Sequence, residues 1–447
     1  MSTLAAQWQP VTASKAPRNL GDVACLIVPA LAFLRVDLGG VVFATDICLL
    51  VLLLLLVAKR HGMFQERTVQ IVCLLGLAWL AAQVLSDLLQ GTPSAQYVRG
   101  WGKISLTVAH LMTLALLIRR SWKRLVLYGV GLAFGALLTF FLTPGEYALS
   151  TPWKFGLGIP VTVLVCVLAG GLMKRSKVAA LLMILLVGCL NLYLGFRSLG
   201  GICFAVVVFT QGRLMFRTSK ARAMILGSIA TLFGAWATSA AYSYAATGGW
   251  LGELARQTYI YQSSGEGGIL VGGRSDIIGA AAAIVDSPFI GHGSWARDPK
   301  YAALQVELMA AMGYRSHWNL DDPDLIPSHS HLLGAWVEAG VVGAAFWTWV
   351  LWLTVKALAR ASGIEPLFPF LVFIAFLLIW NIFLSPYGAE MRFLETYSIY
   401  AMVMLNHASK SRVSRYAYVQ GIHRNYLFEP RGVRRASDPV GSGAGGS

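Results

Sequence analysis

Two histidines and one acid stand close together between residues 326 and 343, in the sequence IPSHSHLLGAWVEAGVVG. The apolar run after His331 predicts a helix from about that residue, with Glu338 on the second turn, below the histidines. An imidazole at a helix start can take up a proton near neutral pH, whereas an acid close to a membrane needs a cavity or a partner. Because a spacing of two places His329 and His331 on different faces of a helix, only one should face a given site. A lone histidine in a membrane protein is more often a hydrogen-bonded structural group, which is the role that we expect for His110.

Arg197 lies where two apolar runs meet almost without a loop, in the sequence NLYLGFRSLGG. Its guanidinium should therefore lie near the lipid–water boundary. The planar fork of an arginine suits phosphate oxygens, which predicts an anion site there. The competing interpretation is an arginine that anchors a helical hairpin by extending its charged end to water.

Arg274 precedes a predicted helix in the sequence GGRSDIIGAAAAIVDSPFIGHG. Asp276 can cap the start of this helix, and Pro288 with Gly291 and Gly293 should end it. A guanidinium beside the free N–H groups of a helix start is suited to a phosphate or an oxyanion. The competing interpretation is a salt bridge between Arg274 and Asp276.

A metal site is an alternative interpretation of the same region. His317, Asp321, Asp322 and Asp324 lie within fifteen residues of His329 and His331, and DDPD resembles the acidic metal motif of nucleotide-sugar transferases. Acidic loops beside prolines are, however, usually solvated turns, so we expect no metal. No CxxC, HExxH or glycine-rich phosphate loop occurs in the sequence.

The composition predicts a membrane protein that crosses the bilayer many times. Hydrophobic residues make up 56% of 447 positions and charged residues only 13%, about half the usual charged fraction of soluble proteins. All six cysteines lie in apolar runs, without the spacing of a metal site, and we interpret them as core residues. The first apolar run lacks a cleavage site, which favours a retained span over a signal peptide.

Twelve apolar runs are long enough, or nearly so, to cross a bilayer, which takes about 17–25 residues. They lie near 20–36, 40–58, 68–89, 104–118, 124–142, 155–173, 178–196, 198–212, 223–241, 331–355, 367–385 and 393–406. The sequence thus predicts an all-α, polytopic protein with about twelve transmembrane helices. Residues 1–241 hold spans one to nine, 242–330 form a large, partly helical external loop, 331–406 hold spans ten to twelve, and 407–447 are a basic, disordered tail.

The distribution of lysine and arginine predicts the orientation of the spans. With the N-terminus inside, 25 of the 36 basic residues fall on cytoplasmic segments. The net charge of +15 is therefore a topology signal and an attraction to anionic headgroups, and it does not indicate nucleic-acid binding. Both termini are expected in the cytoplasm, with His329, Arg197 and Arg274 on the opposite side.

The spacing around His329 resembles that of the O-antigen ligase and O-antigen polymerase superfamily of bacterial envelope glycosyltransferases. The strongest mark of that family is a His followed by Asn, with Leu four residues after the His, an acid nine after and Gly eleven after. His329, Leu333, Glu338 and Gly340 match it, whereas Ser330 stands in place of the Asn.

Two further marks of the family lie upstream. An Arg before a helix that ends in Pro-x-x-Gly-x-Gly is matched by Arg274, Pro288, Gly291 and Gly293. A Ser-Arg-Gly element at the outer end of a mid-chain span is met only by Arg197, in FRSLGG. The motifs cover about residues 190–345.

The resemblance implies a glycan donor on undecaprenyl pyrophosphate in the outer leaflet of the bacterial inner membrane, and transfer to an acceptor hydroxyl at the periplasmic face. The acceptor would be a growing glycan or lipid A core, and a chain-length regulator protein is a possible partner. No metal or cofactor is implied, because the leaving group is already activated. His329 would be the base, and Arg274 and Arg197 would neutralise the leaving group. Glu338, Arg297 and His331 are the candidate substrate-binding residues, with Glu338 orienting the imidazole or supporting an arginine.

Three alternatives stay open at this point. A polymerase of repeat units is preferred over a ligase, because nothing in the sequence marks a particular acceptor. A transporter of lipid-linked glycans fits twelve spans equally well, although few ionisable residues (Asp46, Asp87, His110 and Glu338) lie in the predicted spans. A metal-dependent transferase is the third.

Overall fold

The computed structural model describes residues 20–37, 40–59, 66–215, 240, 242–250, 252–266, 268, 272, 276–314, 324–361 and 367–408. Arg274, His317, Asp321 and Asp322 lie outside these ranges, as do the basic tail after residue 408 and almost all of the predicted ninth span.

The first half of the chain is a series of helices with short connections. They are α1 (Leu20–Ala30, continued by a 3-10 turn at Leu31–Phe33), α2 (Ala44–Ala58), α3 (Arg67–Gln90), α4 (Ser94–Ile118), α5 (Trp122–Leu142), α6 (Glu146–Ser150), α7 (Gly158–Leu172, after a π-helical turn at Trp153–Leu157), α8 (Lys177–Tyr193) and α9 (Arg197–Met215). A hairpin of β1 (Arg35–Asp37) and β2 (Val41–Phe43) joins α1 to α2, with Val36 opposite Val42 in antiparallel register.

The second half continues with α10 (242–247), α11 (Glu253–Gln262), α12 (Asp276–Asp286), α13 (Pro299–Ala311), α14 (His331–Arg360), α15 (Phe368–Leu384) and α16 (391–408). Helices thus dominate the described residues, as predicted, apart from the hairpin and a single bridge between Arg297 and Leu325. Within the predicted external loop, α11, α12 and α13 confirm that the loop is partly helical.

Six described helices are long and apolar enough to cross a membrane. They are Arg67–Gln90, Ser94–Ile118, Trp122–Leu142, Trp153–Leu172, Arg197–Met215 and His331–Arg360. Four shorter apolar helices accompany them, at Leu20–Phe33, Ala44–Ala58, Lys177–Tyr193 and Phe368–Leu384. The chain is therefore a helical protein suited to a membrane, and the count of twelve spans stays a prediction.

The centre of the bundle is formed by α15 together with α16. Every residue from Phe370 to Ala375 is fully buried, and so are Tyr400 and most residues that follow it in α16. A helix that is apolar on all sides can face lipid or pack inside other helices, and the burial of these residues places it inside. Because α15 and α16 are held at the centre, the loop between them, with Ser385 and Tyr387, can bind and position other segments of the chain.

Polar contacts gather at two opposite ends of the bundle. At the start of α1, Asp22 pairs with Lys123 (2.7 Å) and Arg124 (2.9 Å). At the start of α2, beyond the other end of α1, Asp46 accepts a hydrogen bond from the Arg392 Nε (2.9 Å) and lies 3.0 Å from His110. We call the end that holds Asp46 the site end, because the candidate residues described below lie there.

The helix His331–Arg360 reverses direction at its ninth and tenth residues. Ala339 (φ −126°, ψ 15°) and Gly340 (φ 64°, ψ −161°) leave the helical conformation. The rings of His331 and Trp347 have centroids 4.8 Å apart, whereas sixteen residues of continuous helix would span about 24 Å. Residues 331–338 (the short arm) therefore fold back on residues 341–360 (the long arm).

This reversal corrects the prediction of one continuous helix, whereas Glu338 lies on the second turn from His331, as expected. Glu338 lies at the turn between the arms, about 10 Å along the short arm from His331. The long arm alone, at about 30 Å, is the part that is long enough to cross a bilayer.

Candidate functional site

The turn between the two arms is built by the glycine motif that follows α12. The carbonyl oxygens of Val337 and Glu338, which the reversal frees from helical pairing, accept hydrogen bonds from the backbone N–H groups of His292 (2.7 Å) and Gly293 (3.1 Å). The N–H of Val341 donates to the carbonyl of Pro288 (2.9 Å). The two motifs that the sequence analysis singled out thus bind each other directly through their backbones.

Glycine is required where these segments meet. Gly340 has a left-handed φ of 64°, and a Cβ there would overlap the carbonyl oxygen of Phe289. A Cβ on Gly291 (φ 82°) would lie 2.7 Å from the Gly340 nitrogen. The glycine in the Pro-x-x-Gly spacing is therefore explained by two backbones that approach too closely for any other residue.

Side chains of α3 also form hydrogen bonds with the same glycine motif. Ser86 accepts a hydrogen bond from the Gly293 N–H (2.9 Å), and the Asp87 carboxylate accepts from the Ser294 N–H (2.5 Å) and hydroxyl (2.8 Å). The indole of Trp101 donates to Asp87 as well (2.7 Å). Asp87, predicted only as a polar residue in a span, is thus an anchor for the segment that follows α12.

Glu338 pairs with a lysine that the sequence analysis did not single out. Its Oε2 lies 2.9 Å from the Lys103 Nζ, and the two side chains are only 15% and 9% exposed. Its Oε1 accepts from the N–H of Trp295 at 3.3 Å, a residue with a left-handed φ of 51°. Among the described residues, Glu338 thus forms an ion pair with Lys103 and makes no contact with His329. Its expected support of an arginine stays a prediction.

His329 is oriented by an acid at the start of α12. Its Nδ1 lies 2.5 Å from Oδ2 of Asp276, whose side chain is 14% exposed, while the imidazole itself is 58% exposed. Since a carboxylate accepts hydrogen bonds, Nδ1 is the nitrogen that carries the hydrogen in the neutral ring. The lone pair on Nε2 is then directed away from Asp276 and is available to take up a proton.

Asp276 is held in place by its own surroundings. Gln305 of α13 donates to its Oδ1 (3.2 Å), and Pro327, two residues before His329, packs against Gly279 of α12. The segment that leads to His329 also pairs with residues 296–298, because Ile326 donates to Ala296 (2.9 Å). The acid–histidine pair is thus part of the packing between α12, α13 and the short arm.

Helix α12 also receives a contact at its far end. Lys300 (2.7 Å) and the Tyr301 hydroxyl (2.8 Å) both donate to Asp286. These two hydrogen bonds, that of Lys300 first, hold the pKa of the Asp286 carboxyl below its usual range. Asp286 makes no contact with His329 among those described, which makes it a natural reference for Asp276.

Arg197 begins α9 and contacts residues of α10 and α11. Its Nη2 donates to Oε1 of Gln262 (2.8 Å), and its guanidinium lies over the ring of Tyr242 at 4.6 Å. The ring of Phe209 on α9 packs on Phe376 and Phe368 of α15. Arg197 lies twelve residues from Phe209 along α9, and the same length along α15 reaches the end of that helix. Arg197 therefore lies level with the end of α15.

The end of α15 is also where the histidine segment is bound. Ser330 donates to the carbonyl of Ile382 (2.8 Å), and the Nδ1 of His331 lies 2.7 Å from the carbonyl oxygen of Ser385. Arg197 and His329 therefore lie at the same level of the bundle, at the site end. The charge distribution predicts that both residues face the same side of the membrane, and which side this is stays a prediction.

His331 and Arg297, both predicted to bind substrate, differ in their exposure. His331 is fully buried, against Trp347, Tyr387 and Glu395, so it lies in the packing of the bundle and does not line an open pocket. Arg297 is exposed, and its backbone bridges Leu325. Arg274, the third predicted cationic contact, lies outside the described residues.

Half of the residues on which the metal alternative rests lie outside the described part of the chain. Of its six candidate ligands, Asp324, His329 and His331 are described, and His331 points into the bundle. Within the described part of the chain, no group of three His, Cys, Asp or Glu side chains is arranged to hold a metal ion.

A cavity of about 420 Å³ lies elsewhere at the site end, between α1, α5, α7 and α16. Its walls are mostly apolar, and Arg35, Lys154 and Glu390 are its charged lining residues. None of the predicted site residues lines it, so it plays no part in the arrangement around His329.

Compared with protein-family models, with curated proteins and with solved structures, the chain matches none of them.

Proposed function

We propose that this chain is a metal-independent glycosyltransferase that moves a glycan from undecaprenyl pyrophosphate to an acceptor hydroxyl. Polymerisation of O-antigen or exopolysaccharide repeat units is our first choice, and ligation of finished glycan to lipid A core or another acceptor is the alternative. The observation that carries the proposal is the contact between Asp276 and His329, with the imidazole exposed.

A histidine whose Nδ1 is fixed by a carboxylate is suited to general base catalysis. The carboxylate selects the tautomer with a free Nε2 and stabilises the imidazolium that forms when Nε2 takes up a proton. Such a base contributes about 10²–10⁴-fold to a rate. In the proposed step, the acceptor oxygen bonds to the anomeric carbon, the bond from that carbon to the pyrophosphate breaks, and the hydroxyl proton passes to Nε2 of His329.

The departing pyrophosphate needs positive charge at the same level. Arg197 supplies a guanidinium that Gln262 and Tyr242 hold in one orientation. Donors that are oriented before the reaction stabilise developing charge without further rearrangement. Arg274 keeps the role that the family resemblance implies, as a second cation, and no metal ion is needed for this chemistry.

The orientation in the membrane completes the proposal. We place twelve spans in the bacterial inner membrane, with both termini in the cytoplasm and the site end towards the periplasm. Support comes from Lys59, Arg67, Arg120, Lys123 and Arg124, all of which lie at the end of the bundle away from His329. Basic residues concentrate on the cytoplasmic side of membrane proteins.

The test is glycan transfer by the purified protein in lipid, given only lipid-linked donor and acceptor, with and without EDTA. Product in both samples supports the proposal, and product only without EDTA would replace it with a metal-dependent enzyme. In a null strain, single repeat units on the acceptor would identify a polymerase, and finished chains left on the lipid carrier would identify a ligase.

One observation favours the transporter alternative. The bundle buries more ionisable side chains than the apolar runs suggest, because Lys103, His331, Arg392 and Glu395 join Asp46 and His110. Ion-coupled carriers hold such groups inside the membrane. The same purified system separates the two, because a carrier would form no glycosidic product.

A further inference from the structure

The packing of the short arm brings two ionisable side chains together inside the bundle. His331, at the start of the arm, and Glu395, on the second turn of α16, are both completely buried. The Nε2 of His331 lies 3.3 Å from Oε1 of Glu395. Neither group has a part in the transfer step proposed above.

The other ring nitrogen determines the tautomer of His331. Its Nδ1 lies 2.7 Å from the carbonyl oxygen of Ser385. A carbonyl oxygen only accepts hydrogen bonds, so Nδ1 carries a hydrogen. A neutral imidazole has only one ring hydrogen, and Nε2 would therefore direct its lone pair at the oxygen of Glu395.

That arrangement is repulsive if Glu395 is ionised. One proton more, on Nε2 or on the carboxyl group, converts it into an attractive contact, as an imidazolium with a carboxylate or as a carboxylic acid that donates to Nε2. Asn381 contributes a single hydrogen bond to the same Oε1 (2.8 Å). A buried carboxylate that faces a lone pair and has no cation of its own is costly, so the geometry requires a hydrogen between the two atoms.

The cationic side chains near His331 and Glu395 already pair with other acids. Arg392, one turn before Glu395 on α16, is bonded to Asp46, beside which His110 also lies. Lys103 of α4 pairs with Glu338. The side chains that face the pair from the long arm and from the α15–α16 loop are the rings of Trp347 and Tyr387, which carry no positive charge.

We propose that His331 and Glu395 bind one proton between them, and that this protonated pair fastens the histidine segment to the end of the bundle. His331 and Ser330 together connect the segment to Ser385, Glu395 and Ile382. His329 directly precedes Ser330 in the chain, so the pair makes His331 a positioning residue for the base. Only this catalytic consequence rests on the proposed function; the proton itself follows from the contacts.

The test compares Glu395→Gln with Glu395→Ala, and uses Glu390→Gln as a matched control. Glu390 lies five residues earlier and its side chain is 70% exposed. Backbone hydrogen exchange of residues 326–338 reports how firmly the segment is held, and glycan transfer is assayed on the same samples. A glutamine donates an N–H to Nε2 without titrating, and thus imitates the protonated acid.

We expect Glu395→Gln and Glu390→Gln to protect the segment as the natural protein does, and Glu395→Ala to lose most of the protection. Loss of protection in Glu395→Gln equal to that in Glu395→Ala would overturn the proposal, and so would full protection in Glu395→Ala. Absence of transfer in the natural protein would instead contradict the proposed function, while the exchange result would still decide the question of the proton.

Discussion

The carboxylate of Asp276 and the imidazole of His329 lie 2.5 Å apart, joining the start of α12 to the segment that leads into the short arm. Fifty-three residues separate them in the chain, and the packing of α12 beside the short arm brings them together. This contact turns an exposed histidine into an oriented one, with Nε2 directed away from the acid. It is the relationship on which the proposed chemistry depends.

Removing the charge of Asp276 should therefore impair transfer. We expect Asp276→Asn to lower kcat by about 10²–10⁴-fold, because the amide nitrogen can donate to Nδ1 and select the tautomer whose Nε2 already carries a hydrogen. Asp286→Asn, at the other end of the same helix, should change kcat little. The measurement is steady-state transfer with protein matched for folding, and equal losses in the two variants would contradict the assignment.

Arg197 should act on the donor. Arg197→Lys retains the charge but lacks the planar fork that bonds Gln262 and stacks on Tyr242, so we expect kcat/KM for the lipid-linked donor to fall at least about tenfold. The control is Arg256→Lys, since Arg256 is an exposed residue of the same external segment that pairs only locally with Glu253 among its described contacts. An unchanged kcat/KM in Arg197→Lys would remove this arginine from the site.

The ion pair of Lys103 and Glu338 should be a stability feature of the turn. Lys103→Met leaves a largely buried carboxylate without its partner, and we expect a loss of about 3–5 kcal/mol in unfolding free energy. The double variant Lys103→Met, Glu338→Gln should recover much of that loss, because no unpaired charge remains. Thermal unfolding in detergent measures both, and additive losses would show that the two side chains are not coupled.

Gly340 should be required for the reversal between the arms. Gly340→Ala places a Cβ against the Phe289 carbonyl and forces a left-handed φ on alanine, a backbone cost of about 1–3 kcal/mol before the overlap is counted. Gly212→Ala, in open space within α9, should instead be neutral or slightly stabilising because alanine favours a helix. The same unfolding assay distinguishes them, and a Gly340→Ala variant as stable as Gly212→Ala would contradict the reversal.

Much of the architecture could be predicted from the sequence, because apolar run length and helix length are directly related. A described helix occupies each predicted span except the ninth, which lies outside the described residues apart from Ala240. The fourth begins ten residues earlier than the apolar run, at Ser94, since SAQYVRGWGK is polar yet helical. That extension contains Lys103, and the prediction missed this residue because its partner Glu338 comes from a distant part of the chain.

The partners of the site residues could not be predicted in the same way. The spacing of Pro288, Gly291, Gly293 and Gly340 indicated where backbones approach closely, but not that the two motifs bind each other. Hydropathy gave no sign that the chain reverses at Ala339 and Gly340, because both arms are apolar. The described contacts pair Glu338 with Lys103 and His329 with Asp276. The sequence suggested Asp276 only as a helix cap or a partner of Arg274.

The assignment of His329 as the base is tested by glycan transfer from the lipid-linked donor, measured for purified His329→Ala beside the natural protein and His292→Ala. His292 is a half-buried histidine of the same external segment whose ring bonds the Ala283 carbonyl. The account predicts a loss of at least about 10²-fold in kcat for His329→Ala at unchanged protein level and donor binding, with His292→Ala much closer to the natural rate. Near-normal glycan product from His329→Ala would contradict it.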